Sequence, residues 1–485
     1  MFKNKELLNW VAIITGVVLF FFFLLINPLA LDVKAAKVLA VAALMISWWI
    51  LEALPMPVVA LVPIIFFPLM GIATLEDATA PYANSIVFLF MGGFMIGLAI
   101  EKWNLHKRIA LSIVNVTGTS GNKIILGFIL ATGFLSMWLS NTATTIMMFP
   151  IAASVIRVMG DNNYDDRGFR NFSLCLMLAI AYASNFGGIA TIIGTPPNVA
   201  FVGYIQKQYN HTVEFADWML ICTPLALLLM FSLYIVMVKI LYPNHISHNN
   251  DTRLYIKNEL KKLGPLSVTE KRVLLVFVST ALLWITKDLI NKLHIIKLDD
   301  TIIAITGAFA LFVFPTGRKE VRHEKLMNWE DTSKMAWGIL LLFGGGITLA
   351  NALEKAGLIT MLGNWLSSYA GNNILLLVLM ITIISVFISE VMSNVAQVIV
   401  FAPVIGGMAN ALKIDPLLLG VPMTLAASCA SMLPMGTPPN AIVFASGHIR
   451  LPQMLKTGLV MNIISVILIT LFSYFLLPKL MAGVR

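Results

Sequence analysis

The sequence predicts an all-α integral membrane protein built from two inverted-topology repeats. Of the 485 residues, 59% are hydrophobic and only 12% are charged, whereas a soluble domain carries about a quarter charged residues. Apolar runs of about 20 residues, long enough to span a bilayer as a helix, recur along the chain. An internal duplication places polar tripeptides at matching positions inside two of these apolar regions.

The duplication is visible in three blocks that occur in the same order in each half. An offset of 253 residues carries Ser136 onto Ser389 and Ser140-Asn141 onto Ser393-Asn394. Blocks with a shared Gly-Gly, Glu-Lys and Leu precede these tripeptides: FMGGFMIGLAIEKWNL at 90–105 and FGGGITLANALEKAGL at 343–358. Each half also contains Gly-Thr-Pro-Pro-Asn, at 194–198 and at 436–440. Three ordered matches indicate an ancient duplication.

Eleven crossings are predicted from the apolar runs. Pro55 and Pro57 end the second run, because proline cannot continue the hydrogen-bonded ladder of a helix. The fifth crossing, from Phe172, and the tenth are interrupted around 194–197 and 436–439. The tenth crossing is 416–444. The remaining nine predicted crossings are residues 9–31, 35–54, 57–72, 84–101, 217–241, 272–290, 300–315, 335–356 and 457–480.

Two re-entrant hairpins are predicted around the polar tripeptides. Ser140-Asn141-Thr142 lies between two apolar arms in residues 123–158, and Ser393-Asn394-Val395 lies between two arms in residues 373–412. The arms of the first hairpin, about 16 residues each, are short for a full crossing at 1.5 Å per residue. Polar residues at the junction of short arms predict tips that stop near the middle of the membrane, against protein.

The two halves, 1–242 and 272–485, are predicted to have opposite orientations in the bilayer. Five crossings separate the two tips, and an odd number inverts the second half. With a cytoplasmic N-terminus, most of the 33 Lys and Arg residues lie on the cytoplasmic side, many in the linker 243–271 and in 316–334. This distribution follows the positive-inside rule. The net charge of +9 therefore indicates membrane topology and not nucleic-acid binding.

Several function classes find no support in the sequence. There is no P-loop, no nucleotide-binding fingerprint and no nucleophile–base pair, so neither ATP-driven transport nor enzyme catalysis is expected. Cys175, Cys222 and Cys429 lie in apolar segments without CxxC spacing, as small buried side chains do. Glu390 is an intramembrane carboxylate three residues before the second tip. Its position is consistent with two roles, a proton-binding site and a structural role.

The two tips offer groups that suit an anion and a cation together. Inverted repeats with broken helices are typical of secondary transporters, whose site lies between the repeats. Helix N-termini, amides and hydroxyls suit an anion, and freed carbonyl oxygens suit sodium. Since no Lys or Arg lies beside either tip in the sequence, we expect bound cations to neutralise a multivalent anion. A single such motif more often serves helix packing or a kink, but the paired repetition favours a functional site.

These paired motifs resemble those of the divalent anion/sodium symporter family, the INDY-like transporters of dicarboxylates, citrate and sulfate. The resemblance covers nearly the whole chain. It implies a homodimer in which each protomer has a scaffold domain and a transport domain that moves in elevator fashion. The localisation expected is the plasma membrane, the inner membrane of a bacterium. The function expected is sodium-coupled symport of a C4-dicarboxylate such as succinate, malate or fumarate.

The resemblance also implies the site residues. The expected sodium ligands are Ser136, Ser140, Asn141 and Gly194 in the first site, and Ser389, Met392, Asn394 and Gly436 in the second. The expected substrate residues are Asn141, Thr142, Asn394 and Thr437, with Thr195 and Val395 adjacent. Some family members have Thr where this chain has Val395, so one hydroxyl donor is missing. Sodium-independent exchange, citrate or sulfate transport and, from other classes, a channel or a membrane enzyme remain as alternatives.

Overall fold

The protein is described by a computed structural model that covers residues 2–118, 120–160, 167–244, 246, 250–294, 296–318, 323–370 and 373–479. The regular secondary structure of these ranges is helical, apart from one isolated bridge between Pro315 and Lys325. The first half contains α1 Phe2–Phe21, α2 Val33–Ile50, α3 Met56–Val59, α4 Val62–Leu69, α5 Leu75–Thr79, α6 Ser85–Lys102, α7 Leu105–Thr117, α8 Gly121–Ser136, α9 Asn141–Gly160, α10 Arg167–Gly188, α11 Pro196–Tyr209 and α12 Phe215–Ile235.

The linker and the second half continue the series. They contain α13 Asn250–Lys262, α14 Val268–Asn291, α15 Asp300–Val313, α16 Trp337–Lys355, α17 Leu358–Ala370, α18 Ile374–Ser389, α19 Asn394–Leu412, α20 Pro416–Ala427, α21 Pro438–Phe444 and α22 Leu451–Phe475. Short π-helical turns extend α1 to Ile26 and α12 to Leu241.

The sequence repeat is also a repeat of helix boundaries. The offset of 253 residues that aligns the motifs carries both ends of α7 onto those of α17, and both ends of α8 onto those of α18. It also carries the start of α9 at Asn141 onto the start of α19 at Asn394. The two tripeptides therefore occupy the same structural position in their repeats.

Within the described ranges, nine helical segments are long and apolar enough to cross a membrane. Two of them are α9 and α19, the second arms of the predicted hairpins, which are longer than the sequence predicted. The other seven coincide with predicted crossings. The predicted crossings at 57–72 and 300–315 are shorter helical segments, Met56–Leu69 and Asp300–Val313. The total of eleven crossings and the re-entrant path of the hairpins stay predictions.

Helix α10 lies at the centre of the fold. Every residue from Phe172 to Gly188 is buried, as expected for a helix that is apolar on all sides. It packs against α8 and α9 of the first hairpin, against α12, and against α21 of the second repeat. Cys175 in α10, Cys222 in α12 and Cys429 in the turn after α20 are free and buried, which confirms their interpretation as buried side chains.

The linker between the halves contains a helix that is docked onto α7. The guanidinium of Arg108 lies 2.7 Å from the Glu270 carboxylate and donates to the carbonyl oxygens of Leu263 and Gly264. Lys107 pairs with Glu259 of α13 at 3.2 Å. These contacts fix residues 250–270 against the first half. Residues 245 and 247–249 of the predicted linker lie outside the described ranges.

Candidate functional site

The two tips and the two broken segments line a single cavity of about 950 Å³. This volume is at the upper end of the range for small-molecule sites. All six predicted substrate residues line it: Asn141, Thr142, Thr195, Asn394, Val395 and Thr437. Of the predicted sodium ligands, Ser140, Met392 and Gly436 also line it. Ser136 and Ser389 are fully buried and contact the two cavity asparagines from behind.

The first tip is a four-residue turn between α8 and α9. α8 ends at Ser136 and α9 begins at Asn141. The hydroxyl of Ser140 accepts a hydrogen bond of 3.2 Å from the Ala143 N–H, which satisfies one of the free donors at the start of α9. Ser140 therefore shapes the tip through its side chain.

An oxygen cluster lies directly behind this tip. The amide oxygen Oδ1 of Asn141 faces the hydroxyl of Ser136 at 2.8 Å, the carbonyl oxygen of Ser184 at 3.1 Å and that of Gly194 at 3.3 Å. If the amide turns by 180°, Nδ2 comes within donating distance of all three oxygens, and its two N–H groups serve two of them at a time. The oxygens of Ser136, Ser184 and Gly194 can therefore interact favourably either with an N–H group of Asn141 or with a cation between them and Asn141 Oδ1.

Two glycines let these oxygens approach one another. A Cβ on Gly188 would lie 2.2 Å from Asn141 Oδ1, and a Cβ on Gly194 would lie 2.4 Å from the Gly188 carbonyl oxygen and 3.0 Å from that of Ser136. Any larger residue would displace the oxygens. Several neutral oxygens in a small space fit a hard monovalent cation such as sodium.

The second tip repeats the geometry of the first. α18 ends at Ser389 and α19 begins at Asn394. The hydroxyl of Ser389 lies within donating distance of Asn394 Oδ1, at 2.6 Å, and of the Ala427 carbonyl oxygen, and its single proton serves one of them at a time. In the first repeat, Ser136 makes the matching bonds to Asn141 and to the Ser184 carbonyl oxygen.

Glu390 makes the second tip different from the first. Its carboxylate is buried and accepts hydrogen bonds from the backbone N–H groups of Ser431, Met432 and Leu433 and from Asn462 Nδ2, at 2.7–2.9 Å. The three backbone bonds anchor the loop between α20 and α21, and the fourth joins Glu390 to α22. The structure therefore gives Glu390 a structural role. Whether it also carries a proton stays a hypothesis.

The first repeat fixes its loop without a carboxylate. Met137 stands where the second repeat has Glu390. The hydroxyl of Thr191 donates to the Met137 carbonyl oxygen at 2.5 Å and accepts from the Gly194 N–H at 3.0 Å. A buried carboxyl group therefore lies beside the second half-site, close to Gly436, whereas Met137 holds the equivalent position in the first repeat.

Asn185 joins the two half-sites, and sequence reasoning did not single it out. It is fully buried on α10 and lines the cavity. Its Oδ1 accepts from Asn141 Nδ2 at 3.4 Å, and its Nδ2 donates to Thr437 Oγ1 at 3.1 Å. The available signal was an amide at the end of the apolar run LMLAIAYASNFGG.

The cavity also contains charged side chains. Glu52, Glu101 and Lys334 contribute to its wall, and Lys334 is exposed. A basic side chain therefore lies on the wall of the cavity, although none lies beside either tip in the sequence. Lys334 is distant from both tips in the sequence, and the short 3₁₀-helix Trp329–Lys334 brings it to the cavity.

Four helices begin at the cavity. α9, α11, α19 and α21 start at Asn141, Pro196, Asn394 and Pro438, and each of these residues lines the cavity. Each N-terminus carries a partial positive charge. The four together favour an anion in the cavity.

In the described part of the chain, no group of three or more His, Cys, Asp or Glu side chains is placed to hold a metal ion.

Residues 6–481 match the family described as the sodium:sulfate symporter transmembrane region. The chain belongs to the sodium:sulfate symporter family. Its relatives include the sodium-dependent dicarboxylate transporter SdcS of Staphylococcus saprophyticus, which is 39% identical over 485 residues, 99% of this chain and 93% of the relative. SdcS of Staphylococcus aureus is also 39% identical, over 96% of this chain and 91% of the relative.

A solved structure has a fold similar to that of this sodium:sulfate symporter family member. The YdaH transporter of Alcanivorax borkumensis superposes with a TM-score of 0.57 and 14% identity, over 83% of this chain and 87% of that one. At this identity the likeness shows the fold alone. Family and fold make the chain a multi-pass membrane transporter and not an enzyme.

Proposed function

We propose that the protein is a sodium-coupled symporter of a C4-dicarboxylate such as succinate, malate or fumarate. The observation that carries the proposal is the convergence of two equivalent half-sites on one cavity, with oxygen-rich surroundings behind each tip. The relatives in Staphylococcus, which are sodium-dependent dicarboxylate transporters, support sodium and a dicarboxylate as the transported species.

Each half-site is proposed to hold one sodium ion as transported cargo. The first would use Asn141 with Ser136, Ser140 and Gly194, to which the structure adds the Ser184 carbonyl oxygen. The second would use Ser389, Met392, Asn394 and Gly436. Two bound cations would offset the two negative charges of the substrate. Lys334 on the exposed cavity wall carries only one positive charge and does not replace them.

The dicarboxylate is proposed to lie between the tips. One carboxylate would contact Asn141, Thr142 and Thr195, and the other would contact Asn394, Thr437 and Val395. The four helix N-termini at the cavity add favourable partial charge. Val395 offers only a methyl group where a hydroxyl would donate, so the second carboxylate depends more on Thr437.

Helix packing supports an elevator-type movement. The hairpins pack with α10, α12, α20 and α22, whereas α6 packs with α14, α15 and α16. We infer that the first group forms the transport domain and the second part of the scaffold, with α7 and α17 joining them. A homodimer in the bacterial plasma membrane, with cytoplasmic N-termini, is part of this proposal.

Uptake into proteoliposomes tests the proposal. Radiolabelled succinate should accumulate when sodium is higher outside and should not accumulate when potassium replaces it. Excess fumarate should compete, while sulfate and citrate should compete poorly. Uptake that ignores sodium and needs internal succinate would show an exchanger, and inhibition by sulfate alone would show an inorganic-anion carrier.

A further inference from the structure

We propose that Asn185 is a positioning residue that transmits sodium binding at the first half-site to a substrate donor on the second repeat. The inference rests on the proposed function, because it assigns a role to the first sodium ion. The side chain of Asn185 lies between Asn141 and Thr437, hydrogen-bonded to both. It thereby connects a proposed sodium ligand to a proposed substrate residue from the opposite repeat.

The first step is the orientation of the Asn141 amide. When Oδ1 faces the oxygens of Ser136, Ser184 and Gly194, a cation among them is favourable. Without a cation, Oδ1 faces the Ser184 and Gly194 carbonyl oxygens with no donor between them, and the opposite orientation brings the two N–H groups of Nδ2 within reach of this cluster. Sodium therefore selects the orientation in which Oδ1 points into the cluster and Nδ2 points to Asn185.

The second step is the direction of the bonds beyond Asn141. With sodium bound, Asn185 accepts from Asn141 through Oδ1 and donates through Nδ2 to Thr437 Oγ1. The Thr437 hydroxyl then acts as an acceptor toward Asn185 and keeps its proton for a substrate carboxylate oxygen.

Removing sodium reverses this direction. Oδ1 of Asn141 then faces Asn185, so the Asn185 amide must turn to donate to it. The Thr437 hydroxyl now faces the amide oxygen of Asn185 and donates its proton to that oxygen in a hydrogen bond. The substrate loses a donor, and its affinity falls with no movement of the backbone.

The second repeat has no equivalent bridge. Ser428 is the counterpart of Asn185, since Ser389 contacts the preceding Ala427 carbonyl oxygen as Ser136 contacts that of Ser184. Ser428 is buried, and its hydroxyl has no hydrogen-bond partner among the described residues. The bridge therefore couples the substrate to the first sodium ion specifically.

The test compares succinate affinity at saturating sodium and at low sodium in purified full-length protein. The ratio of the two dissociation constants is the coupling factor. Asn185→Ala should bind radioactive sodium alone within about threefold of wild type, yet its succinate dissociation constant at saturating sodium should rise by about tenfold. The coupling factor should fall by a similar amount. Ser428→Ala, the matched control, should keep the wild-type coupling factor.

A double-mutant cycle separates transmission from a general structural effect. In a Thr437→Val background, Asn185→Ala should weaken succinate binding by less than about twofold further, because the bond it removes is already absent. If Asn185→Ala does not fold, Asn185→Ser is measured by the same criteria.

An unchanged coupling factor in the Asn185 variant, or effects that multiply independently with Thr437→Val, would overturn the bridge and leave the proposed function standing. Wild-type protein whose succinate affinity ignores sodium would overturn both.

Discussion

The hydroxyl of Ser389 donates a hydrogen bond of 2.6 Å to the amide oxygen of Asn394, five residues later. The same bond joins Ser136 to Asn141 at 2.8 Å in the first repeat. Each bond crosses a hairpin tip and orients an asparagine that lines the shared cavity. Two copies of one local geometry thus form a single site, and the predictions below follow from that arrangement.

Replacing either tip asparagine should abolish transport. Asn141→Ala or Asn394→Ala removes an oxygen from a proposed sodium site and a donor from the cavity. Sodium-driven succinate uptake should fall at least about 100-fold, while expression and dimer assembly stay intact. Thr286→Ala, whose exposed hydroxyl bonds only within its own helix, should transport normally. Normal uptake by either asparagine variant would refute the site assignment.

Adding a methyl group at Gly188 should weaken sodium binding at the first half-site. The new Cβ would lie 2.2 Å from Asn141 Oδ1 and would displace that oxygen. We expect Gly188→Ala to raise the sodium concentration for half-maximal uptake by about tenfold or more. In Gly93→Ala the three atoms nearest the new Cβ all belong to the Ile193 side chain, at 3.3 Å or more, and none is an oxygen, so sodium dependence should hardly change. Equal behaviour of the two variants would count against the oxygen cluster.

Restoring a hydroxyl at position 395 should strengthen dicarboxylate binding. Val395→Thr keeps the shape of the side chain and adds a donor facing the cavity. A hydrogen bond to a charged group contributes about 1.5–3 kcal/mol, so the succinate KM should fall by about tenfold at saturating sodium. Val395→Ala serves as the control for shape. A higher KM in the Thr variant would show that the carboxylate does not reach this position.

Loss of the Glu390 carboxylate should destabilise the fold. In Glu390→Gln, one acceptor becomes an NH₂ group that faces a backbone N–H, which costs about 1–3 kcal/mol. The thermal midpoint in detergent should fall measurably, and further for Glu390→Ala. A Glu390→Gln variant with unchanged stability but lost pH dependence of uptake would instead support a proton site.

Lys334 should assist the approach of the substrate. Its exposed ammonium group lies at the cavity wall, where a positive charge raises the local concentration of anions. Lys334→Ala should raise the succinate KM about threefold at low ionic strength, and added salt should abolish the difference. Lys261→Ala, on the exposed surface of α13, should have no effect at either ionic strength.

The sequence predicted the parts of the site that are repeated. Ser136, Asn141 and their counterparts could be recognised because polar residues recur at one offset in apolar surroundings. The helix breaks were also predicted, but α10 ends at Gly188, earlier than the Gly-Thr-Pro-Pro motif indicates. The loop after Gly188 is held by Asn198 Nδ2, which donates to the Thr191 carbonyl oxygen at 2.8 Å.

Other parts of the site could not be predicted from local patterns. The Ser184 carbonyl oxygen belongs to the backbone and has no sequence signal. Asn185 has no amide counterpart in the second repeat, where Ser428 takes its place, so the repeated pattern does not indicate it. Lys334 reaches the cavity only through tertiary folding. These residues depend on how distant helices pack, which periodicity does not encode.

A cryo-EM map of the protein in saturating sodium and succinate tests the central claim most directly. We predict substrate density between Thr142 and Thr437, with one ion peak beside Asn141 and another beside Asn394. Succinate density elsewhere, or a map in which residues 141 and 394 do not share a cavity, would contradict the account.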